Sequence, residues 1–194
     1  MEKPFSQACE NNKAPILAVL KEVLKYANAV LEIGSGTGQH AVHFAPCLPH
    51  LRWYCSDVEA NHAGINAWFN EFPAANLIAP CRLMLGLDPW PNLDVDAIYT
   101  ANTTHIMQNH EVKLMMELVQ QHLPIGGVFC QYGPFRQGGE FSSQSNRDFD
   151  QSLRERGYGG VQDVDTLKGW AKGLALTAKM AMPANNLCLI WHKV

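Results

Sequence analysis

Val30-Leu31-Glu32-Ile33-Gly34-Ser35-Gly36-Thr37-Gly38 is a short apolar run that breaks into glycine at three alternate positions, with a carboxylate two residues before the first. That layout predicts a strand, a tight turn and the start of a helix. Glycines at Gly34, Gly36 and Gly38 let the backbone take positive φ and let a flat ligand approach more closely than a β-carbon would allow. The turn, Ser35 included, is therefore a candidate nucleotide-type binding site. A dinucleotide fingerprint needs glycine at the sixth position, where Gln39 stands, and the Glu32 carboxylate would repel a pyrophosphate. A cationic ligand suits this loop better.

Asp57 follows Gly38 by nineteen residues and ends the run Leu51-Arg52-Trp53-Tyr54-Cys55-Ser56, which reads as a second strand. A carboxylate placed there can accept from both hydroxyls of a ribose. The glycine turn and Asp57 together resemble the cofactor motifs of the class I S-adenosylmethionine-dependent methyltransferases. The resemblance implies that Gly34, Ser35, Gly36 and Gly38 hold the methionine part of S-adenosyl-L-methionine, with Glu32 supporting it. It also implies that Asp57 binds the ribose.

A chain of 194 residues is long enough for one well-buried domain and short for two, so a single domain over residues 1–194 is expected. With 47% hydrophobic and 17% charged residues it has a soluble globular composition, and no apolar stretch is long enough to span a bilayer. Met1-Glu2-Lys3-Pro4-Phe5 shows no secretory signal, which points to a cytoplasmic protein. Cys9, Cys47, Cys55, Cys81, Cys130 and Cys188 lack any C-x-x-C pairing and read as buried free thiols. His40 and His43 share a helix face without an identifiable third ligand, so no metal is expected. A net charge of −3 argues against duplex nucleic acid as a partner and favours a small-molecule or protein acceptor.

Apolar periodicity predicts helices over 14–27, 39–47, 61–72 and 112–123, another around Asp150 and Leu153, and a short one over 163–173. Pro15 is expected in the first turn of the first helix. Strands are expected over 82–87, 97–101 and 127–132, and a final pair, 174–180 and 187–192, reads as an antiparallel hairpin. The fold expected is α/β. The order of elements is similar to the Rossmann-like seven-stranded methyltransferase sheet, and the resemblance implies a sheet mostly parallel with an antiparallel C-terminal hairpin and helices on both faces.

The resemblance extends to Phe5-Ser6 with Glu10-Asn11-Asn12-Lys13, Thr100-Ala101-Asn102-Thr103-Thr104-His105-Ile106-Met107, Tyr132-Gly133-Pro134-Phe135, Ser145-Asn146-Arg147-Asp148-Phe149-Asp150 and Met182-Pro183-Ala184-Asn185-Asn186. These segments are similar to a family of small methyltransferase-like proteins catalogued as a domain of unknown function. The likeness covers nearly the whole chain and identifies the family better than the reaction, because it does not supply the acceptor.

Methyl transfer from a sulfonium is an in-line displacement, helped chiefly by alignment and exclusion of water, with a general base where the acceptor ionises. In open α/β sheets the ligand lies beyond the carboxyl ends of the strands. Asn102 therefore becomes a cofactor or acceptor contact. It stands where amino-methylating relatives carry Asn-Pro-Pro-Tyr, but Thr103, Thr104 and His105 replace the rest, so N-methylation is not implied. His105 reads either as a base or as a loop cap, and Tyr132 either as an acceptor-orienting hydroxyl or as a packed aromatic. Arg136 to Phe141 reads as a flexible lid or an ordinary loop, with Asn146, Phe149 and Asp150 beyond it. The resemblance calls for an acidic adenine contact after the third strand, which offers Asp88, alternatively a turn residue, with Leu87 serving the adenine plane. Glu10, Asn11, Asn12 and Lys13 read as a helix cap, and the resemblance implies that this segment, Asn12 included, folds over the cofactor.

Three functions remain distinct: a methyltransferase, a cofactor-binding regulatory or partner protein without turnover, and an NAD-dependent oxidoreductase, which Gln39 disfavours. Neither the acceptor nor the oligomeric state is encoded in a recognisable motif.

Overall fold

The computed structural model describes residues Lys3–Val194. Strand β1 (Ala29–Ile33) is buried at all five positions, which explains why its sequence does not alternate. It pairs in parallel with β2 (Arg52–Asp57) on one side and β4 (Ala97–Ala101) on the other, and β2 pairs in parallel with β3 (Leu77–Arg82). Strand β5 (Val128–Gly133) pairs antiparallel with β7 (Asn186–Lys193), which pairs antiparallel with β6 (Leu174–Met182). The strand order is β3-β2-β1-β4-β5-β7-β6, the expected mixed seven-stranded sheet. The chain divides into two compact units, one ending at Thr100 and one running from Ala101 to Val194.

In the first unit, α1 (Gln7–Val23), α2 (Gln39–Phe44) and α3 (Glu59–Glu71) accompany the strands. The core gathers Phe44, Trp53 and Tyr99, whose ring centroids lie 5.6 to 5.9 Å apart. Burial of each large apolar side chain contributes roughly 1.5–3 kcal/mol. Helix α1 begins well before the predicted Ala14. Ser6 is its N-cap, accepting from Cys9 N at 3.3 Å, so Glu10 to Lys13 lie inside the helix and do not cap it. Pro15 also lies inside rather than in the first turn. The apolar stripe of α1 starts only at Ile16, and the polar first turns hid the true beginning.

The third strand was also misplaced by sequence pattern, to 82–87 instead of Leu77–Arg82. Pro80 argues against a strand interior, but β3 is an edge strand, where a missing N–H need not cost a ladder bond, and the pairing register with β2 shifts between Tyr54 and Ser56. The residues that follow instead form a turn, in which Leu87 N and Asp88 N both donate to Met84 O, at 3.0 and 2.9 Å.

In the second unit, α4 (Asn109–His122), α5 (Gln144–Glu155) and α6 (Val164–Trp170) accompany β5, β6 and β7. Helix α4 opens with a capping box between Gln108 and Glu111, α5 is capped by Ser143 and α6 by Asp163. The hairpin between β6 and β7 turns through Ala184 and Asn185, both at positive φ. Among the described residues no helix is long and apolar enough to cross a membrane. All six cysteines are free; Cys55, Cys130 and Cys188 are buried, Cys9 and Cys81 half-buried, and Cys47 exposed, contrary to the uniform burial expected.

Candidate active site

The glycine turn is held to the end of β2. Gly34 N and Ser35 N both donate to Ser56 O, at 2.9 and 3.0 Å, and Gly38 N closes the turn on Ser35 O at 2.9 Å. Gly34, Gly36 and Gly38 all adopt positive φ, at 71°, 58° and 87°. Their surroundings differ. A β-carbon on Gly38 would lie 3.1 Å from the Ile65 Cα of α3, whereas one on Gly36 would meet nothing within 4 Å. Gly36 is thus the point where the turn presents bare backbone to open space, and Gly38 is where it packs against a helix.

Asp57 joins the turn directly. Its Oδ2 accepts from Gly36 N at 2.6 Å, while Oδ1 accepts from Val58 N at 2.7 Å and Asn61 Nδ2 at 2.9 Å. An ionised carboxylate offers about four lone-pair sites, so three internal bonds leave room for a further donor. The expected convergence of Asp57 and the turn is therefore present. Asn61, in the first turn of α3, is a supporting residue that the sequence pattern did not single out, although its place four residues after the acid that ends β2 is a usable signal.

Beyond Asp57, Val58, Glu59, Ala60, Arg82 and Met84 line a cavity of about 260 Å³. Asp88 supports this region from behind: its carboxylate accepts from Met84 N at 2.8 Å and pairs with Arg82 Nε at 3.0 Å, the turn-residue role of the two considered. Leu87 projects into solvent at 76% exposure. Val58 and Met84 were not recognised in the sequence, because their place depends on where β3 ends.

Glu32 is 2% exposed, so its carboxylate does not face the turn surface as a free charge. It accepts from Trp53 Nε1 at 3.0 Å and from the Cys55 thiol at 3.4 Å. Desolvation pushes its pKa up from the ordinary carboxylate value, making it a weaker acid, partly offset by the Trp53 bond. Ser35 Oγ is buried and has no hydrogen-bond partner. Asn12, buried in α1, has its Oδ1 2.7 Å from His40 Nε2, and the other ring nitrogen of His40 lies 3.3 Å from Tyr99 Oη. Burial pushes His40 down to about 4. At α2, Gln39 takes Ser6 N on its Oε1 at 2.6 Å and donates to Glu10 Oε1 at 2.9 Å, which ties the start of α1 to the glycine turn.

The second unit holds the remaining predicted residues. Asn102 adopts φ 58°, and its N–H donates to Tyr132 O at 2.9 Å. Asn102 Oδ1, His105 Nδ1 and the Phe135 ring converge on one point, each 3.9 Å from where a β-carbon on Gly133 would stand. His105 is 7% exposed and its Nδ1 has no hydrogen-bond partner. Burial pushes its imidazole down to about 4, with the Arg156 charge contributing less. The Phe149 ring meets it edge-on at 5.3 Å. Tyr132 is 1% exposed and its Oη accepts from Asn186 Nδ2 at 3.0 Å. Asn146 and Asp150 serve structure: Asn146 Nδ2 donates to Ser142 Oγ and Asn185 O, and Asp150 Oδ1 accepts from Val161 N. Gly133, the small residue at the point of convergence, falls in the Tyr132-Gly133-Pro134-Phe135 segment of the family resemblance, but its closeness to Asn102 and His105 is not readable from sequence.

The fold resembles solved methyltransferase structures. The O-methyltransferase family 2 protein from Planctomyces limnophilus, in complex with apigenin, matches at a TM-score of 0.83 and 16% identity over 96% of this chain and 58% of its own. Human N-acetylserotonin methyltransferase in complex with SAM matches at 0.81 and 13% identity over 96% of this chain and 53% of its own. An O-methyltransferase family protein from Burkholderia thailandensis matches at 0.80 and 14% identity over 93% and 56%. The chain spans a little over half the length of these structures, and identities this low establish a shared fold. The sequence itself matches one family across residues 3–193, and the chain belongs to that family, described as "Protein of unknown function (DUF938)".

Proposed function

We propose that this protein is an S-adenosylmethionine-dependent methyltransferase acting on a small-molecule or protein acceptor. The observation that carries the proposal is the 2.6 Å bond from Gly36 N to the Asp57 carboxylate, beside a glycine whose outer face is open. The residues present fit the cofactor. Asp57 keeps lone-pair capacity for a ribose hydroxyl, the cavity at Val58 and Met84 offers an apolar-walled space for the adenine, and the bare turn at Gly36 admits the methionine part. Glu32 underlies the turn, and Asn12 acts through His40 to hold α1 beside it.

When bound, the cofactor supplies an electrophilic methyl group on a sulfonium. The candidate acceptor residues belong to the second unit. In its Nε2–H tautomer His105 presents at Nδ1, which has no hydrogen-bond partner, the lone pair that takes the proton released by an acceptor hydroxyl or amine. Because burial keeps this imidazole neutral well below pH 7, it is in the basic form throughout the physiological range. Asn102 Oδ1, beside it, accepts from the same acceptor group, and the Tyr132 hydroxyl, held by Asn186, orients it. Unpaired thiols suit a reducing compartment, which supports a cytoplasmic location.

Calorimetry with S-adenosylmethionine tests the cofactor half, and methyl-labelled cofactor incubated with a metabolite extract and with a protein lysate tests turnover. Saturable binding and label transfer, both lost in Asp57→Ala, support the enzyme. Binding without transfer to either fraction favours a regulatory protein that retains the cofactor site. Absence of binding overturns both.

A further inference from the structure

Three cations of the second unit meet the segment Arg136–Phe141, and the chemistry above does not use them. The Arg136 and Arg147 guanidinium carbons lie 5.5 and 5.0 Å from the centroid of the Phe141 ring, and Lys179 reaches the same loop by donating to Gln137 Oε1 at 2.6 Å. Among the described residues none of the three forms an ion pair, whereas Arg82, Arg154 and Lys168 all do. Of the nearby acids, Glu140 is exposed and its backbone pairs with Gln137, while Asp163 and Asp148 have partners of their own. Asp163, bridged to Arg136 through the backbone, uses Oδ2 on Gly139 N and Oδ1 on Asp165 N, and Asp148 accepts from Gln144.

Arg136 Nε is buried and has no hydrogen-bond partner. A buried N–H donor without an acceptor is costly, and on a guanidinium the natural acceptor is a planar or tetrahedral oxyanion that takes two N–H groups at once. The support is preformed. Gln137 and Glu140 exchange backbone bonds at 3.1 Å, Arg136 N donates to Gln162 O at 2.9 Å, and Val164 N donates to Arg136 O at 3.0 Å. These bonds join the loop, read from sequence as a flexible lid or an ordinary loop, to residues 162 and 164.

Two connections relate these cations to the acceptor residues of the same unit. Arg136 directly follows Phe135, one of the three groups that converge at Gly133. Arg147 stands on α5 two residues before Phe149, whose ring meets His105 edge-on. We propose that Arg136 and Arg147 form an oxyanion subsite over Phe141, and that the methyl acceptor is a small acid bearing a carboxylate or phosphate group. This inference rests on reading His105 and its neighbours as the acceptor site. Lys179 adds positive potential without reaching the anion itself.

The test needs neither cofactor nor turnover. The protein is titrated with inorganic phosphate, benzoate and neutral benzamide, followed by calorimetry and by the arginine Nε–Hε resonances. Saturable binding of an oxyanion that shifts Arg136, with no matching effect of benzamide, supports the subsite. Stronger binding of phosphate identifies a phosphorylated acceptor, and stronger binding of benzoate a carboxylic one. Arg147→Gln, at an exposed position that folding does not require, weakens binding by about fivefold or more, as loss of one charge-assisted bond demands. Should Arg136→Gln fail to fold, Arg136→Lys keeps the charge but loses the fork and still binds more weakly. No saturable oxyanion binding, equal binding of benzamide, or an Arg147→Gln affinity equal to wild type overturns the inference. Such a failure leaves the cofactor titration at Asp57 untouched, so the two readings fall separately.

Discussion

Replacing Asp57 by asparagine keeps the shape of the side chain and removes its charge and one of its acceptor oxygens. In the native protein three donors converge on that carboxylate, from Gly36, Val58 and Asn61, and the group is 8% exposed. An amide has one oxygen and one NH2, so at least one backbone N–H must then face another donor. A buried donor left unsatisfied costs about 1–3 kcal/mol and loss of charge assistance adds to it, giving about 2–3 kcal/mol for Asp57→Asn. For a chain of this size that lowers the melting temperature by about 4–12 °C. Loss of charged acceptance of a ribose hydroxyl costs binding about 2 kcal/mol, roughly thirtyfold in S-adenosylmethionine affinity. Urea unfolding reads the first quantity and calorimetry the second. Asn61→Ala, which removes one donor and leaves the carboxylate, provides the graded control at about 1 kcal/mol. A variant that unfolds at the wild-type urea midpoint and binds the cofactor within about twofold of wild type would refute both the bracing of the turn and its role in binding.

The two glycines of the turn separate stability from binding. Gly36→Ala, at positive φ but in open space, costs about 1 kcal/mol of stability and abolishes cofactor binding in the same calorimeter. Gly38→Ala, crowded by the Ile65 backbone, is destabilised further, by about 2–3 kcal/mol in urea. Gly159→Ala would place a β-carbon 2.0 Å from Met107 O, and the displaced backbone costs more than about 3 kcal/mol, read as a low melting temperature or insoluble expression. His40 and His105 are both held near 4, below the ordinary 6.5, so between those values the unfolded chain binds protons that the folded one does not. Their contribution is fully present above about pH 6.5 and drains away as pH falls toward 4. Unfolding free energies measured across that window will fall with pH, and the slope will lessen in His40→Gln; a slope unchanged by that substitution contradicts the burial of a neutral ring. Methyl transfer dependent on His105 stays level from pH 8 to about 5, where a normal imidazole would already have lost activity.

The first strand, the glycine turn and the acid at position 57 were legible because each follows from local chemistry. A run of apolar residues makes a buried strand, glycine alone tolerates consecutive turns at positive φ, and a βα unit has a nearly standard length. The antiparallel ending was equally plain, since two strands without an intervening helix can only form a hairpin. The start of α1 and the position of β3 were not legible. The polar turn after Ser6 is helical because Gln39 and His40 hold it from another helix, and Pro80 is acceptable because its strand lies at an edge.

Composition and local pattern alone therefore determined an α/β chain with a glycine turn at positive φ and a carboxylate at the end of the next strand, because backbone sterics and burial periodicity act between near neighbours in sequence. Only tertiary structure decided which polar groups are already committed. Glu32 is sealed against Trp53, Asp88 is tied to its own turn, and His105 keeps a bare nitrogen beside Gly133. Those outcomes depend on partners 4 to 28 residues away, as from Asp88 to Met84 and from His105 to Gly133, brought within hydrogen-bond or van der Waals reach by strand pairing and loop packing. No spacing of residue types along the chain specifies that reach.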